Sequence, residues 1–260
     1  MKRTLLWLIP LVVLGALAGR YFWPASDKSS PETVEEPAPV DEPRIQHPVE
    51  SVDAPKFPLP PLAESDDSLR DAVAALLGDK LPEFINLKNI IRRIVATVDN
   101  LPRDHVALEL MPVRPVPGLP ITAMSGEDLV LSPKNAARYR RYAQFMAALP
   151  TNEAVALYAR FYPLFQEQYE NLGYPGKYFN DRVVEVIDHL LATPELEEPL
   201  RLVQPNVLYE FADPKLEQLS AGQKILVRIG RANELKVKAK LREIRQALVS
   251  LAPPSAPRPP

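Results

Sequence analysis

The stretch "LYARFYPLFQEQYENLGYPGKYF", residues 157–179, holds eight of the 19 aromatic residues in the chain. At about 100° per residue on a helical wheel, the apolar positions from Val155 to Leu172 fall within an arc of roughly 120°. These positions are Val155, Tyr158, Phe161, Tyr162, Phe165, Tyr169 and Leu172. An aromatic ligand cage needs rings that converge from different elements, whereas a single ridge has the width of a core-facing helix face. We therefore expect these rings to fill a core, with the tyrosine hydroxyls at its edge.

Helical periodicity continues on both sides of this stretch. Upstream it predicts a first helix from about Ser65 to Gly78, a second from Pro82 to Asn100, and a third from Ser132 to Leu149. Downstream, "DRVVEVIDHLLA" is amphipathic, and Ser220 with Gln223 three residues later forms a capping box that starts another helix. A last helix runs to about Leu251. The pattern predicts a mainly α protein.

Residues 101–131 break this periodicity. They contain five prolines and three short β-type runs, "VALELMPV", "LPITAM" and "DLVLS". We interpret this segment as an irregular lobe with two or three short strands, in which two could pair as a hairpin. The predicted fold is therefore one compact multi-helix domain over residues 64–251, with a minor β-containing lobe at 101–131.

The N-terminus, "MKRTLLWLIPLVVLGALAGRYFW", favours a single-pass transmembrane anchor over residues 1–23. A helix from Thr4 to Trp23 would span roughly 30 Å, the thickness of the bilayer core. Arg20 and the cluster Tyr21-Phe22-Trp23 suit a membrane–water interface. The alternative is a cleaved signal peptide, because Ala16-Leu17-Ala18 has the form of a signal-peptidase site.

An anchor in this position predicts a location. Lys2 and Arg3 would hold the N-terminal tip in the cytoplasm and place the remaining chain outside it. The sequence thus predicts a protein of the bacterial inner membrane that contacts the lipid bilayer through Leu5 to Trp23, with its C-terminal domain in the periplasm. The absence of cysteine fits that compartment.

Residues 24–63 contain ten prolines and eight acidic residues. Such a composition buries too little apolar surface to offset the entropy of ordering, so it predicts a disordered linker. His47 lies within it and is expected to be solvated. Residues 252–260, "APPSAPRPP", form a second disordered tail.

Composition excludes several classes of function. Without cysteine there are no disulfides, thiolate metal sites or cysteine nucleophiles. The folded part carries 24 basic and 25 acidic residues, so bulk charge gives no reason to expect nucleic-acid binding. No serine lies in a nucleophile elbow, and no glycine loop suits a phosphate. We predict neither a catalytic residue nor a cofactor, and an enzyme is not expected.

One helix carries metal-ligand residue types. Asp181, Glu185 and His189 stand at i, i+4 and i+8, but a straight ridge of that length spans about 12 Å and cannot converge on one ion. Glu185 and His189 alone could form half a metal site. An exposed carboxylate–histidine pair is the alternative. Farther on, residues 221–252 contain eight Lys or Arg, which form either a basic contact surface or a solvated face balanced by acids elsewhere.

Three stretches carry a resemblance: "RRIVATVDNLPR", "RFYPLFQEQYENLGYP" leading to "YFNDRVVEVIDHLLATPE", and "LYEFADPKLEQLSAGQKILVRIG". In this order they resemble the bacterial family known as domain of unknown function 3014, over about residues 60–248. The resemblance implies a single-pass envelope protein of Gram-negative bacteria with a soluble domain after a proline-rich linker. It implies no activity, cofactor or catalytic residue.

Together these observations predict an interaction or scaffold module that presents a helical domain to a partner, either an envelope protein or the cell wall. The alternative is a domain that binds a small ligand or a metal through the tyrosines and acids around residues 174–189.

Overall fold

The computed structural model describes residues 45–49, 58–78, 84–197 and 199–251. Within these ranges the chain is mainly helical, as the periodicity predicts. Its α-helices are α1 (Ser65–Leu77), α2 (Ile90–Asn100), α3 (Asn135–Ala147), α4 (Thr151–Asn171), α5 (Phe179–Leu191), α6 (Pro214–Glu217), α7 (Ala221–Arg228) and α8 (Arg231–Val249).

Two antiparallel hairpins form the minor β component. Strand β1 (Thr122–Ser125) pairs with β2 (Asp128–Leu131), and β3 (Leu202–Val203) pairs with β4 (Glu210–Phe211). The Leu131 N–H donates to the Leu200 carbonyl at 2.8 Å, which joins the two hairpins edge to edge. The predicted lobe therefore contains a hairpin from "LPITAM" and "DLVLS", whereas "VALELMPV" forms a 3-10 turn at Leu108–Leu110.

The aromatic face of α4 fills the first hydrophobic cluster, as predicted. Phe161 is 1% exposed, and Phe165 stacks on Phe179 of α5 with ring centroids 6.0 Å apart. Ile91 and Val95 of α2 belong to the same cluster. Pro163 lies within an α4 that runs unbroken from Thr151 to Asn171.

The apolar face of α5 joins a second cluster with α7 and α8. Val184, Val186, Ile187 and Leu190 are buried there, which matches the amphipathic pattern. Helix α7 begins with the predicted capping box, in which Ser220 Oγ accepts the Gln223 N–H. Because α5 contributes to both clusters, its first turn is held rigidly between them.

Helix α2 begins later than the sequence predicts. The periodicity extends from Pro82, but the structure starts the helix at Ile90, after Asn89 with a left-handed φ of 51°. Asp66 of α1 accepts the main-chain N–H of Asn89 at 2.6 Å and of Ile90 at 3.2 Å. Upstream, Ile85 pairs with Val113. A capping carboxylate from another helix thus decides where α2 starts.

Part of the predicted disordered linker, 24–63, is ordered against the domain. Residues 45–49 contact α5 through hydrogen bonds, and Leu59 and Leu62 pack on the first cluster. A 3-10 turn at Leu62–Glu64 then leads into α1. The prediction of disorder rested on the average composition of residues 24–63, which gave no weight to these few apolar residues. Burial of each one stabilises the ordered state.

The structure corrects the prediction of a single-pass transmembrane anchor. No helix in the part of the chain that the structure describes is long and apolar enough to cross a bilayer. The longest, α4 and α8, are interrupted by charged residues such as Glu153 and Arg160, or Lys236 and Arg242. The predicted inner-membrane location, with a periplasmic domain, rested on that anchor and is withdrawn with it. The segment Leu5 to Trp23 and the tail 252–260 lie outside the described residues.

Candidate functional site

A cavity of about 730 Å³ opens beside the first turns of α5, and we call it the α5 groove. Its walls come from Asp99 at the end of α2, from Tyr169 of α4, from the turn before α5, and from α5 itself. Residues Gln46 and His47 border it on the remaining side. The groove therefore lies where the linker residues meet the first turns of α5.

Residues 45–49 are held in the α5 groove through their main chain. The carboxylate of Asp181 accepts the His47 N–H at 2.7 Å and the Gln46 N–H at 3.0 Å. The Tyr178 hydroxyl accepts the Val49 N–H at 2.7 Å, and the Asn180 amide donates to the His47 carbonyl at 2.9 Å. All four hydrogen bonds involve backbone groups of the segment, which bends at Gln46 and His47, so the polar contacts are made to the main chain and not to side chains.

The aromatic core orients the groups that make these bonds. Asn180 is fully buried, and its amide oxygen accepts a hydrogen bond from the Tyr158 hydroxyl at 3.2 Å. The Asn180 N–H donates to the Tyr162 hydroxyl at 3.3 Å. Burial, with a smaller contribution from neighbouring ionisable groups, raises the pKa of both tyrosines above the ordinary value. Both hydroxyls therefore stay protonated at neutral pH, and Asn180 keeps one orientation.

A buried ionic network forms another wall of the groove. The side chain of Asp99 is 5% exposed and lies 3.6 Å from an Arg182 guanidinium nitrogen. Tyr174 donates to Asp99 at 3.2 Å, and Arg103 forms a salt bridge with the same carboxylate oxygen. Arg182 also donates to the Asp99 carbonyl at 3.1 Å. Its Nε atom is buried without an acceptor among the described residues.

The two metal-ligand candidates each have another partner. Glu185 forms a salt bridge of 3.0 Å with Arg182, and its side chain is 67% exposed. His189 Nε2 lies 2.8 Å from Ser220 Oγ, the hydroxyl that caps α7. Ser220 is buried and accepts the Gln223 N–H, so this serine–histidine contact closes a helix end. Across the described ranges, no group of three or more His, Asp or Glu is arranged to hold a metal ion.

Sequence reasoning found part of this site. Asp181 belongs to the predicted polar ridge, and Tyr174 and Tyr178 lie in the predicted ligand region, residues 174–189. The roles of Asp99, Asn180 and residues 45–49 were missed. The hydrogen bonds between the linker and α5 join residues 129 to 135 positions apart, and no local pattern signals a pairing at that distance.

Comparisons with known proteins agree with the motifs. A family model described as "Protein of unknown function (DUF3014)" matches residues 90–245, which confirms the resemblance. The match spans α2 to α8 and includes the α5 groove, but it begins after residues 45–49. Neither a curated protein nor a solved structure matches the chain.

Proposed function

Because the chain belongs to the DUF3014 family of proteins of unknown function, we propose its role from its own geometry. We propose that it is an interaction module that binds a short polypeptide segment of a partner protein in the α5 groove, through the main chain of that segment. The observation that carries this proposal is the main-chain docking of residues 45–49 on Asp181, Tyr178 and Asn180.

The chemistry of the groove suits this role. Asp181 forms no salt bridge with any described residue, and it uses both carboxylate oxygens to accept peptide N–H groups. Hydrogen bonds to a charged acceptor are worth about 1.5–3 kcal/mol each, so they hold a peptide without reading its sequence. Selectivity comes from the position of Val49, because its side chain packs on the first hydrophobic cluster. A partner would need an apolar residue there.

Residues 45–49 then act as an internal occupant with which a partner competes. A segment tethered to its site has an effective concentration on the order of millimolar, so a free peptide competes poorly while the segment is docked. Partner binding is therefore expected to increase when the internal segment is released. The groups of α5 that bind it would remain in place, because the aromatic core orients them.

The test releases the segment without altering Asp181, Tyr178 or Asn180, the residues that bind it. Gln46→Pro with His47→Pro removes the two N–H groups that Asp181 accepts, since proline has no main-chain donor. The matched control, Gln46→Ala with His47→Ala, keeps both N–H groups. A fluorescent peptide with the sequence of residues 43–50, PRIQHPVE, is titrated into each full-length variant and followed by anisotropy.

We expect the peptide to bind the proline variant at least tenfold more tightly than the alanine variant or the unaltered chain. Asp181→Ala in the proline background should remove this binding. Equal affinity in the proline and alanine variants would contradict recognition through the main chain. Retention of binding after Asp181→Ala would show that the peptide binds elsewhere.

A second candidate is a small-ligand site in the remaining volume of the same groove. It is favoured by the cavity of about 730 Å³ and by the buried Arg182 Nε, which has no hydrogen-bond acceptor among the described residues. Thermal shift against metals and small metabolites tests it, with Glu185→Ala and His189→Ala as variants. A melting temperature that no compound moves would remove this candidate.

Either role is one of binding and not of catalysis. In support, none of the described residues that line the α5 groove is a serine, threonine or cysteine that a neighbouring base could activate.

A further inference from the structure

A second cavity, of about 420 Å³, lies between the first turns of α3 and α8. Its apolar wall is built from alanines: Ala136 and Ala137 of α3 and Ala232 of α8. Three cationic side chains, Lys134, Arg140 and Lys236, also line it, and none of the described lining residues is acidic. We call it the α3–α8 cavity.

The three cations differ from most other basic residues of α8 in their salt bridges. Most other cations of α8 are matched by acids: Lys238 by Glu234, Lys240 by Glu243 and Arg245 by Asp188. Over the described ranges, no salt bridge involves Lys134, Arg140 or Lys236.

Two acids that pair with cations of α8 are already engaged. Glu234, in the first turn of α8, is 2% exposed and lies 3.0 Å from Lys238. Glu197 lies 3.3 Å from Arg231, the first residue of the same helix. The positive charge at the α3–α8 cavity is therefore not neutralised by these neighbours.

Two buried asparagines form hydrogen bonds from the N-terminal ends of α3 and α8 to neighbouring helices. Asn233 of α8 donates to the Ala136 carbonyl of α3 at 2.8 Å, and Asn135 of α3 donates to the Arg228 carbonyl at 3.1 Å. Both asparagines are at least 95% buried. The N-terminal ends of two helices thus meet at one rigid site, where their dipoles add to the potential of the three cations.

We propose that the α3–α8 cavity binds a small molecule that carries a phosphoryl group. A phosphoryl group at neutral pH has a charge near −2 and several acceptor oxygens, which suit an arginine fork and two lysines. The alanine wall would contact the carbon skeleton of the ligand. This site is separate from the α5 groove, so either proposal can fail without the other.

The test measures the melting temperature of the full chain in inorganic phosphate, against sodium chloride of equal ionic strength. At a phosphate concentration ten times Kd, binding should raise the melting temperature by roughly 3–6 °C. Phosphate also stabilises proteins without binding to a site. The decisive quantity is therefore the difference between the unaltered chain and its variants.

Two variants remove the site in different ways. Lys134→Ala with Arg140→Ala and Lys236→Ala removes the charges, and all three side chains are exposed, so the fold should persist. Ala137→Leu fills the cavity and leaves the charges in place. Lys88→Ala with Arg92→Ala and Arg242→Ala is the control, because it removes three exposed cations away from the cavity lining.

Both cavity variants should lose the phosphate-specific shift, and the control should keep it. An equal loss in the control would mean that net charge alone is responsible and would overturn the proposal. An unaltered chain with no phosphate-specific shift would overturn it too. An equal shift with acetate would contradict the assignment to a phosphoryl group.

Discussion

Single residues at close contacts decide how tightly the helices of this domain pack. Gly222, in the first turn of α7, donates its N–H to the Leu101 carbonyl at 2.9 Å. A Cβ at this position would lie 2.7 Å from Leu190 Cδ2 and 3.0 Å from the Leu101 carbonyl oxygen. The missing side chain is what lets α7 approach both α5 and the end of α2.

We expect Gly222→Ala to destabilise the protein by about 1–3 kcal/mol, because overpacking outweighs the better helix propensity of alanine. Urea unfolding of the two proteins measures the difference. In a double-mutant cycle, Leu190→Ala should cost less in the Gly222→Ala background than in the unaltered chain, since it removes the nearer overlap. An unchanged or higher stability of Gly222→Ala would show that the helices separate without cost.

At the scale of the element, α8 carries its charge in pairs. The side chains of Lys238 and Glu234 are each 2% exposed and approach to 3.0 Å one turn apart. Lys238 also donates to the Thr193 carbonyl, which ties α8 to the segment after α5. Much of the basic run in the sequence is therefore matched by acids, but Lys238 and Lys240 are buried and pair within α8, and so do not form the predicted solvated face balanced by acids elsewhere.

Lys238→Met should leave Glu234 buried without its cation and cost about 3 kcal/mol at neutral pH. Burial raises the pKa of Glu234, and Lys238 offsets this only in part. A carboxyl whose folded pKa is raised loses stability as pH rises through that value. The loss in free energy of unfolding caused by Lys238→Met should consequently be smaller at pH 5 than at pH 8.

Urea unfolding at the two pH values measures this deficit. The control is the double variant Lys238→Met with Glu234→Leu, which removes both charges and should recover most of the stability. A double variant as unstable as Lys238→Met would assign the loss to packing and not to the orphaned carboxylate.

At the scale of the whole molecule, the same tyrosines build the core and form hydrogen bonds to a residue of the α5 groove. The rings of α4 fill the first cluster, and their hydroxyls orient Asn180 at the groove. Burial raises the pKa of Tyr158, Tyr162 and Tyr169. Groups with a raised folded pKa add stability that is present at neutral pH and is lost as pH rises above about 10, their unfolded value.

Alkaline titration should therefore show two phases. Tyr158 and Tyr162 should ionise only as the fold is lost, so about two ninths of the tyrosinate absorbance should appear together with the loss of helical circular dichroism. Tyr158→Phe should reduce that second step. Ionisation of all nine tyrosines near pH 10 with native circular dichroism would contradict the burial of these hydroxyls.

The sequence by itself determined the helical class, the core-facing side of α4, the capping box of α7 and the family. These features arise from interactions among residues three or four positions apart, which periodicity and capping patterns record. The tertiary structure alone decided that α2 starts at Ile90, that Glu185 and His189 have separate partners, and that residues 45–49 dock on α5. Each of these depends on a group brought from another element, such as the Asp66 carboxylate at α2 or the Asp181 carboxylate at the linker. A hydrogen bond between residues more than 130 positions apart forms only after the core has placed both partners, so no local pattern predicts it.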